Sequence, residues 1–470
     1  MAATAVAAPP CRPLSWQWNL VWTSLGTAVY AASNWAMLSA IAKLGTPEMV
    51  GEFALGLAVT APVLLLAQMN LRAVLATDTK DEYSFRDYRA LRLNATLLGI
   101  LAIAAIAWVS YGPKTAAVVM VVGLAQAVEG VSDIYYGLMQ QHERMDRITI
   151  SQFWRGPLGL VAMAVGVGLT GSVLWGAAAL AVVRLAVLAV YDAGAGTRDF
   201  LAHEARSATI RAADRRRLTP ITSWRSLSAF IGVHRRLSLL TPSQELPRKW
   251  RASAARQFSI FWLAAPLSSV MLLNSLSTNM PRYFIEHHSG TRELGMFSAA
   301  AALVAMGNTI INALGQAVTP KLAKMFAWEG AARFASFTGR LAAFGVALGL
   351  CAIGCSVVLG RWVLTLMFRP EYASEAGLLT SLMIAGSIGY VATLMGYAVT
   401  AARSFRPQLP LFIVMTLVTL AGCAIWIPAR GLAGAAVATG VSSTVQLAGL
   451  GYLVWRVTAR ARKAEAGKHA

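Results

Sequence analysis

Two acids, Glu129 and Asp133, stand four residues apart in one apolar run, and a lone arginine, Arg184, stands inside another. Four residues is just over one helical turn, so the two carboxyls share a helix face, with Gln126 and Ser132 beside them and Tyr135 and Tyr136 following. Charges in apolar runs are costly unless they face protein or water, which makes all three functional candidates. Asp133 and Arg184 lie at similar depth, about 9 to 12 Å from the inner surface by helical rise, so a structural ion pair between them is one reading. The other makes Glu129, the deeper acid, a proton or sodium site that drives exchange.

Further cations sit near the ends of apolar runs: Arg72 in Asn70-Leu71-Arg72, Arg155 two residues before Pro157, and Arg282 in Asn279-Met280-Pro281-Arg282. Each reads either as a cation snorkelling to the headgroup layer or as a bidentate receptor for phosphate or diphosphate. Asn34, Gln68, Asn274, Asn308 and Asn312 supply neutral polar groups able to line a cavity or bridge helices. Pro62, Pro157 and Pro266 permit kinks. Enzyme signatures are missing from the sequence: it has no GxxxxGK[ST] loop and no HExxH, and its six histidines fall in loops or tails. No metal or cofactor is expected beyond a possible coupling H+ or Na+. The cysteines 11, 351, 355 and 423 are too scattered for a disulfide framework.

These residues must be positioned by membrane-spanning helices. Of 470 residues, 57% are hydrophobic and 13% charged, and the mean hydropathy is +0.56, beyond what a water-soluble core requires. The charges cluster between apolar runs of about 20 residues, the length that crosses ~30 Å of hydrocarbon. Six runs fall at 20 to 42, 52 to 71, 93 to 111, 115 to 139, 148 to 170 and 172 to 191. Six more fall at 257 to 280, 294 to 319, 341 to 360, 376 to 402, 408 to 427 and 431 to 455. The expectation is an all-α polytopic membrane protein: a six-helix bundle over 1–192, a basic linker over 193–256, and a second six-helix bundle with a tail over 257–470.

The formal charge of +20 sets orientation rather than pointing to nucleic acid. With the N-terminus inside, 33 of the 41 basic residues fall on the inner side, against Lys43, Lys114, Arg282, Arg292, Arg361, Arg369 and Arg430 outside. Both termini are therefore expected in the cytoplasm, with no signal peptide before the first span. In the linker, Trp224, Leu227, Ile231 and Leu237 recur at roughly helical spacing among arginines, which fits either an interfacial helix or a solvated basic segment.

The halves echo one another. A shift of 245 residues pairs Ser33 with Thr278, Asn34 with Asn279, Gly45 with Gly290, Thr46 with Thr291 and Glu48 with Glu293; one deletion later, Gly51 and Phe53 pair with Gly295 and Phe297. Six helices separate the copies, so the repeat is parallel, about an axis along the membrane normal.

The stretches GEFALGLAVTAPVLLLAQMNLRAVLATD (51–78), SDIYYGLMQQHERMDRI (132–148) and GLAGAAVATGVSS (431–443), with the twelve-span layout, resemble the oligosaccharide and O-antigen flippases of the multidrug/oligosaccharidyl-lipid/polysaccharide exporter superfamily. The resemblance implies a V-shaped pair of bundles with a central cationic cavity, moving polyprenyl-pyrophosphate-linked oligosaccharide across the bacterial inner membrane by alternating access, beside membrane lipids and possible polysaccharide assembly machinery. It makes Arg72, Arg155, Arg184 and Arg282 candidates for the anionic headgroup, with Asn34 and Asn279 as symmetry-related polar contacts and Glu129 and Asp133 as ion-coupling groups. A cation-coupled drug or metabolite exporter of the same superfamily is the alternative, and a polytopic glycosyltransferase or polymerase ranks behind it.

Overall fold

In the computed structural model, which describes residues 14–77, 83–198, 200, 245–402, 404 and 407–469, the ordered elements are helices. The first six spans are α1 (Trp16–Leu44), α2 (Pro47–Gln68), α4 (Phe85–Ser110), α5 (Pro113–Gln141), α6 (Met145–Thr170) and α7 (Val173–Val187), with a short α3 (Leu71–Thr77) between α2 and α4. Local chemistry sets their starts: Pro47 and Pro113 occupy first turns, where no amide is needed, and Ser84 caps α4 by accepting from the Asp87 amide. α7 runs on as a π-helical stretch, Leu188–Ala195.

The second half contains α8 (Glu245–Lys324), α9 (Ala331–Met367), α10 (Ala376–Ala401) and α11 (Gln408–His469). α8 and α11 are each two spans joined at a sharp bend, at Gly290 and Gly431. At Gly290 the backbone has φ 86° and ψ 178°, a region open essentially to glycine alone. Among the described residues nine helical segments, the two bent ones included, are long and apolar enough to cross a membrane. α1, less apolar through Asn19, Thr23, Ser24, Ser33 and Asn34, completes twelve crossings. Each crossing overlaps one of the expected apolar runs. α8 begins inside the segment read as linker, and Trp224 to Leu237 lie outside the described residues.

The 245-residue repeat is visible in three dimensions. Gly45 ends α1, and its partner Gly290 breaks α8, so α1–α2 and the two arms of α8 are equivalent hairpins. They pack against each other through their paired glycines. A Cβ on Gly51 would stand 1.9 Å from the Thr291 carbonyl oxygen, and one on Gly295 would stand 1.9 Å from the Pro47 carbonyl oxygen. The contact is reciprocal, as a two-fold relation between halves requires.

Around this contact the halves share one apolar core, in which Ile41, Val50 and Phe53 of the first half join Ile285, Phe297 and Phe368 of the second. Polar contacts close the same end: Ser39 donates to the Met367 carbonyl, Arg369 to the Lys43 carbonyl at 2.7 Å, and Arg292 reaches Glu48 at 3.1 Å and Glu371 at 3.6 Å. Toward the opposite end the cores divide, one cluster gathering Leu71, Tyr88 and Tyr135 and another Leu322, Phe334 and Ala398. The start of α8 leans across, placing Ile260 in the first half's cluster and Gln257 against Asn94 at 3.2 Å. The molecule is thus a V, pinched at the Gly45/Gly290 end. Large side chains such as Leu98, Val109, Leu350 and Val358 are exposed on its outer faces, as lipid contact demands.

Candidate functional site

α5 is the spine of the first half. Gln126, Glu129, Asp133, Tyr136 and Gln140 follow one another at steps of three and four, so they form one stripe along the helix. Four arginines, from four different helices, meet this stripe. Arg184 of α7 binds Glu129 at 2.8 Å, Gln126 at 2.6 Å and the Ala125 carbonyl at 3.2 Å, while Tyr30 of α1 donates to the other Glu129 oxygen. Arg155 of α6 donates to Ser132 and, at 2.6 Å, to Asp192 in the π-helical stretch. Asp133 lies between Arg92 of α4 at 3.1 Å and Arg72 of α3 at 3.4 Å; Arg72 also donates to Gln140 at 3.0 Å and stands over the Tyr136 ring.

Several expectations change here. Asp133 does not pair with Arg184 but lies between Arg92 and Arg72, and Arg184 holds Glu129 instead, so the deeper acid has a cation of its own. Arg155, expected to reach headgroups from a helix end, is only 2% exposed and its charge is met by Asp192, which is fully buried. The deep charges are also more numerous than three. Arg92, counted from sequence among the inner-loop cations, has no exposed surface, and Asp192 belongs to the bundle interior because the π-helical stretch prolongs α7 beyond its apolar run. Tyr30 carries no charge and left no signal in hydropathy.

Glu129, Arg184, Tyr30 and Asn34 line a cavity of about 180 Å³ in the first half. A larger one, about 590 Å³, lies in the second half between α8, α10 and α11. Among the described residues, Arg282 is its one charged lining residue. It sits within α8, eight residues before the Gly290 bend, and its guanidinium donates to Asn279 at 2.6 Å, while Asn279 is itself held by the Ser275 carbonyl at 2.9 Å. Among the described residues no carboxylate pairs with Arg282. Asn34 and Asn279 occupy equivalent places in the repeat, but Asn34 faces its cavity directly, whereas Asn279 is buried and acts by orienting Arg282. Asn274, Asn308 and Asn312 also line the larger cavity. Among the described residues no cluster of three potential metal ligands occurs.

The arrangement can therefore hold three carboxylates neutralised by guanidinium groups and, separately, offer one unneutralised guanidinium to an anion.

No protein-family model matches the chain. In sequence it is 23% identical over 439 residues to the capsular polysaccharide biosynthesis protein CapF of Staphylococcus aureus, covering 93% of this chain and 99% of that one. In structure it superposes on the inward-facing conformation of a multidrug resistance MATE family transporter of the MOP superfamily with a TM-score of 0.59 at 13% identity, covering 94% of this chain and 95% of that one. It superposes on the lipid II flippase MurJ in an inward closed conformation with a TM-score of 0.61 at 8% identity, covering 94% and 90%. The chain has the fold of these superfamily transporters, two six-helix bundles related by a parallel repeat.

Proposed function

We propose that this multi-pass membrane protein is a flippase that carries polyprenyl-diphosphate-linked oligosaccharide across a bacterial inner membrane by alternating access. Arg282 carries the reading: among the described residues it is the single charge lining the large cavity and has no carboxylate partner, and it is oriented by Asn279. An unneutralised guanidinium facing a cavity in the membrane interior is costly to maintain, and a diphosphate, which accepts in parallel from its two donor edges, relieves that cost. The names of two relatives, one for capsular polysaccharide biosynthesis and one for lipid II flipping, support the same substrate class.

The positive-inside asymmetry puts the pinched Gly45/Gly290 end outside and the open end of the V in the cytoplasm, with both termini. Substrate then enters from the inner leaflet. Arg72, half-exposed toward the open end, meets the diphosphate first, and Arg282 receives it deeper. Arg155 and Arg184 hold the α5 stripe together rather than touching substrate. Release to the outer leaflet requires separating the Arg292 bridges and the Tyr283 hydroxyl, which donates to the Ala58 carbonyl one residue from Arg282. Coupling falls to Glu129, where H+ or Na+ arriving through the small cavity competes with Arg184.

One observation favours the exporter reading: Glu129 keeps 29% of its side-chain surface open, so a cationic drug has an acid to approach. Arg184 at 2.8 Å weighs against it. Leaflet-resolved accumulation of the lipid-linked glycan in cells carrying Arg282→Ala or Arg72→Ala separates the two. Glycan is expected to build up on the inner leaflet, and unchanged export would sink the headgroup role of these arginines.

A further inference from the structure

The large cavity has a chemical character that the flippase reading alone does not require. From Leu382 to Thr400, both lining residues of α10, is eighteen residues, so the cavity extends about 27 Å along α10 by helical rise. Arg282 lies toward the pinched end, and the remaining polar lining toward the open end is neutral. The side-chain amides of Asn274, Asn308 and Gln446 have no hydrogen-bond partner among the described residues, so both their donors and their acceptors are available. Ser443 adds a hydroxyl. The small cavity differs in kind, because four of its polar lining groups, Glu129, Arg184, Gln126 and Tyr30, are already joined to one another, with Asn34 beside them.

Neutral groups able to donate and accept at once match sugar hydroxyl and acetamido groups, which do the same. They do not match a carboxylate, which accepts only and carries a charge that must be compensated once removed from water. Arg282, the one cation of the cavity's described lining, is then committed to the diphosphate. We infer that the second-half cavity is a glycan subsite selective for uncharged sugars, with the diphosphate at Arg282 and the sugars extending toward Asn308 and Gln446. The inference rests on the flippase reading and adds a rule about what the glycan is made of.

The test uses the full-length protein in proteoliposomes with two probes: a polyprenyl diphosphate bearing a hexose–N-acetylhexosamine disaccharide, and the same lipid with a uronic acid in place of the hexose. Wild type is expected to flip the neutral probe at least about tenfold faster, the smallest penalty expected for an uncompensated carboxylate in the cavity. Equal rates would overturn the subsite and leave the flippase intact, whereas failure to move either probe would remove the flippase reading itself. Asn308→Arg supplies the missing cation and is expected to raise uronic-acid flipping toward the neutral rate. Asn308→Asp, nearly isosteric, is expected to fold and to widen the discrimination. If both variants insert stably and discriminate as wild type does, the sugars do not sit at Asn308 and the inference fails.

Discussion

Replacing Asp192 with Ala removes the one carboxylate that contacts Arg155 and leaves a guanidinium that is only 2% exposed. The pair is short, at 2.6 Å, and both side chains are essentially withdrawn from solvent. What remains in contact with the charge is the Ser132 hydroxyl and the face of Tyr136, the Glu129 carboxylate nearby is already held by Arg184, and the Arg155 Nε already lacks a partner. Breaking a pair of this kind costs ~3–5 kcal/mol because the surviving ion stays buried, whereas replacing both partners with apolar residues of similar volume is close to neutral. Asp192→Ala is therefore expected to lose ~3–5 kcal/mol, and Arg155→Met with Asp192→Leu to recover most of it. The assay is reversible unfolding in mixed micelles with a rising mole fraction of dodecyl sulfate, followed by tryptophan fluorescence. Arg292→Ala serves as a comparison. Its bridges to Glu48 and Glu371 are formed by side chains 41–56% exposed, and its loss is expected to cost no more than ~1 kcal/mol. A loss under ~1 kcal/mol for Asp192→Ala, or a double variant no better than the sum of its singles, would refute the claim that this pair is a buried structural tie.

Three other perturbations have defined outcomes. Gly290→Ala forces a Cβ into a glycine-only backbone region and is expected to cost ~1–3 kcal/mol in the same unfolding assay; an unchanged midpoint would mean that the bend is not fixed by that residue. Gly51→Val drives a side chain into the Thr291 carbonyl, so spin labels placed across the pinched end should report a longer distance between halves, and an unaltered distance would contradict the packing of the paired hairpins. Glu129→Gln removes the group held by Arg184 and Tyr30, so transport in proteoliposomes should no longer respond to an imposed proton or sodium gradient; retained gradient dependence would move the coupling site elsewhere.

Much of this architecture was legible in the sequence because membranes impose simple rules. Apolar run length located each crossing, and the 245-residue echo found the Gly45 and Gly290 breaks because both hairpins need the same turn chemistry. The four-residue spacing of Glu129 and Asp133 placed them on one face of α5, a stripe that Tyr136 and Gln140 continue. Azimuth was harder to read than depth. Asp133 and Arg184 were matched by helical rise alone, but rotation about α5 turns Glu129 toward α7 and Asp133 toward α3 and α4. Arg92 and Asp192 escaped notice because they lie at the margins of apolar runs, where hydropathy cannot distinguish a side chain pointing to water from one pointing inward. A π-helical continuation such as Leu188–Ala195 has no period that would betray it. Apart from Arg282, the described lining of the large cavity is neutral and spread over three helices, and its polarity becomes apparent only once those helices are brought together.

The reading of Arg282 as receptor for an anionic lipid headgroup is tested most directly by equilibrium binding to the purified protein in nanodiscs, with polyprenyl diphosphate and a lipophilic cation titrated in parallel. Polyprenyl diphosphate is expected to bind, Arg282→Ala to weaken it by about tenfold or more, as loss of a charge-assisted bidentate contact of ~1.5–3 kcal/mol requires, and Arg282→Lys to recover part of the affinity. Tight binding of the cation, dependent on Glu129 and indifferent to Arg282, with no binding of the diphosphate, would contradict it.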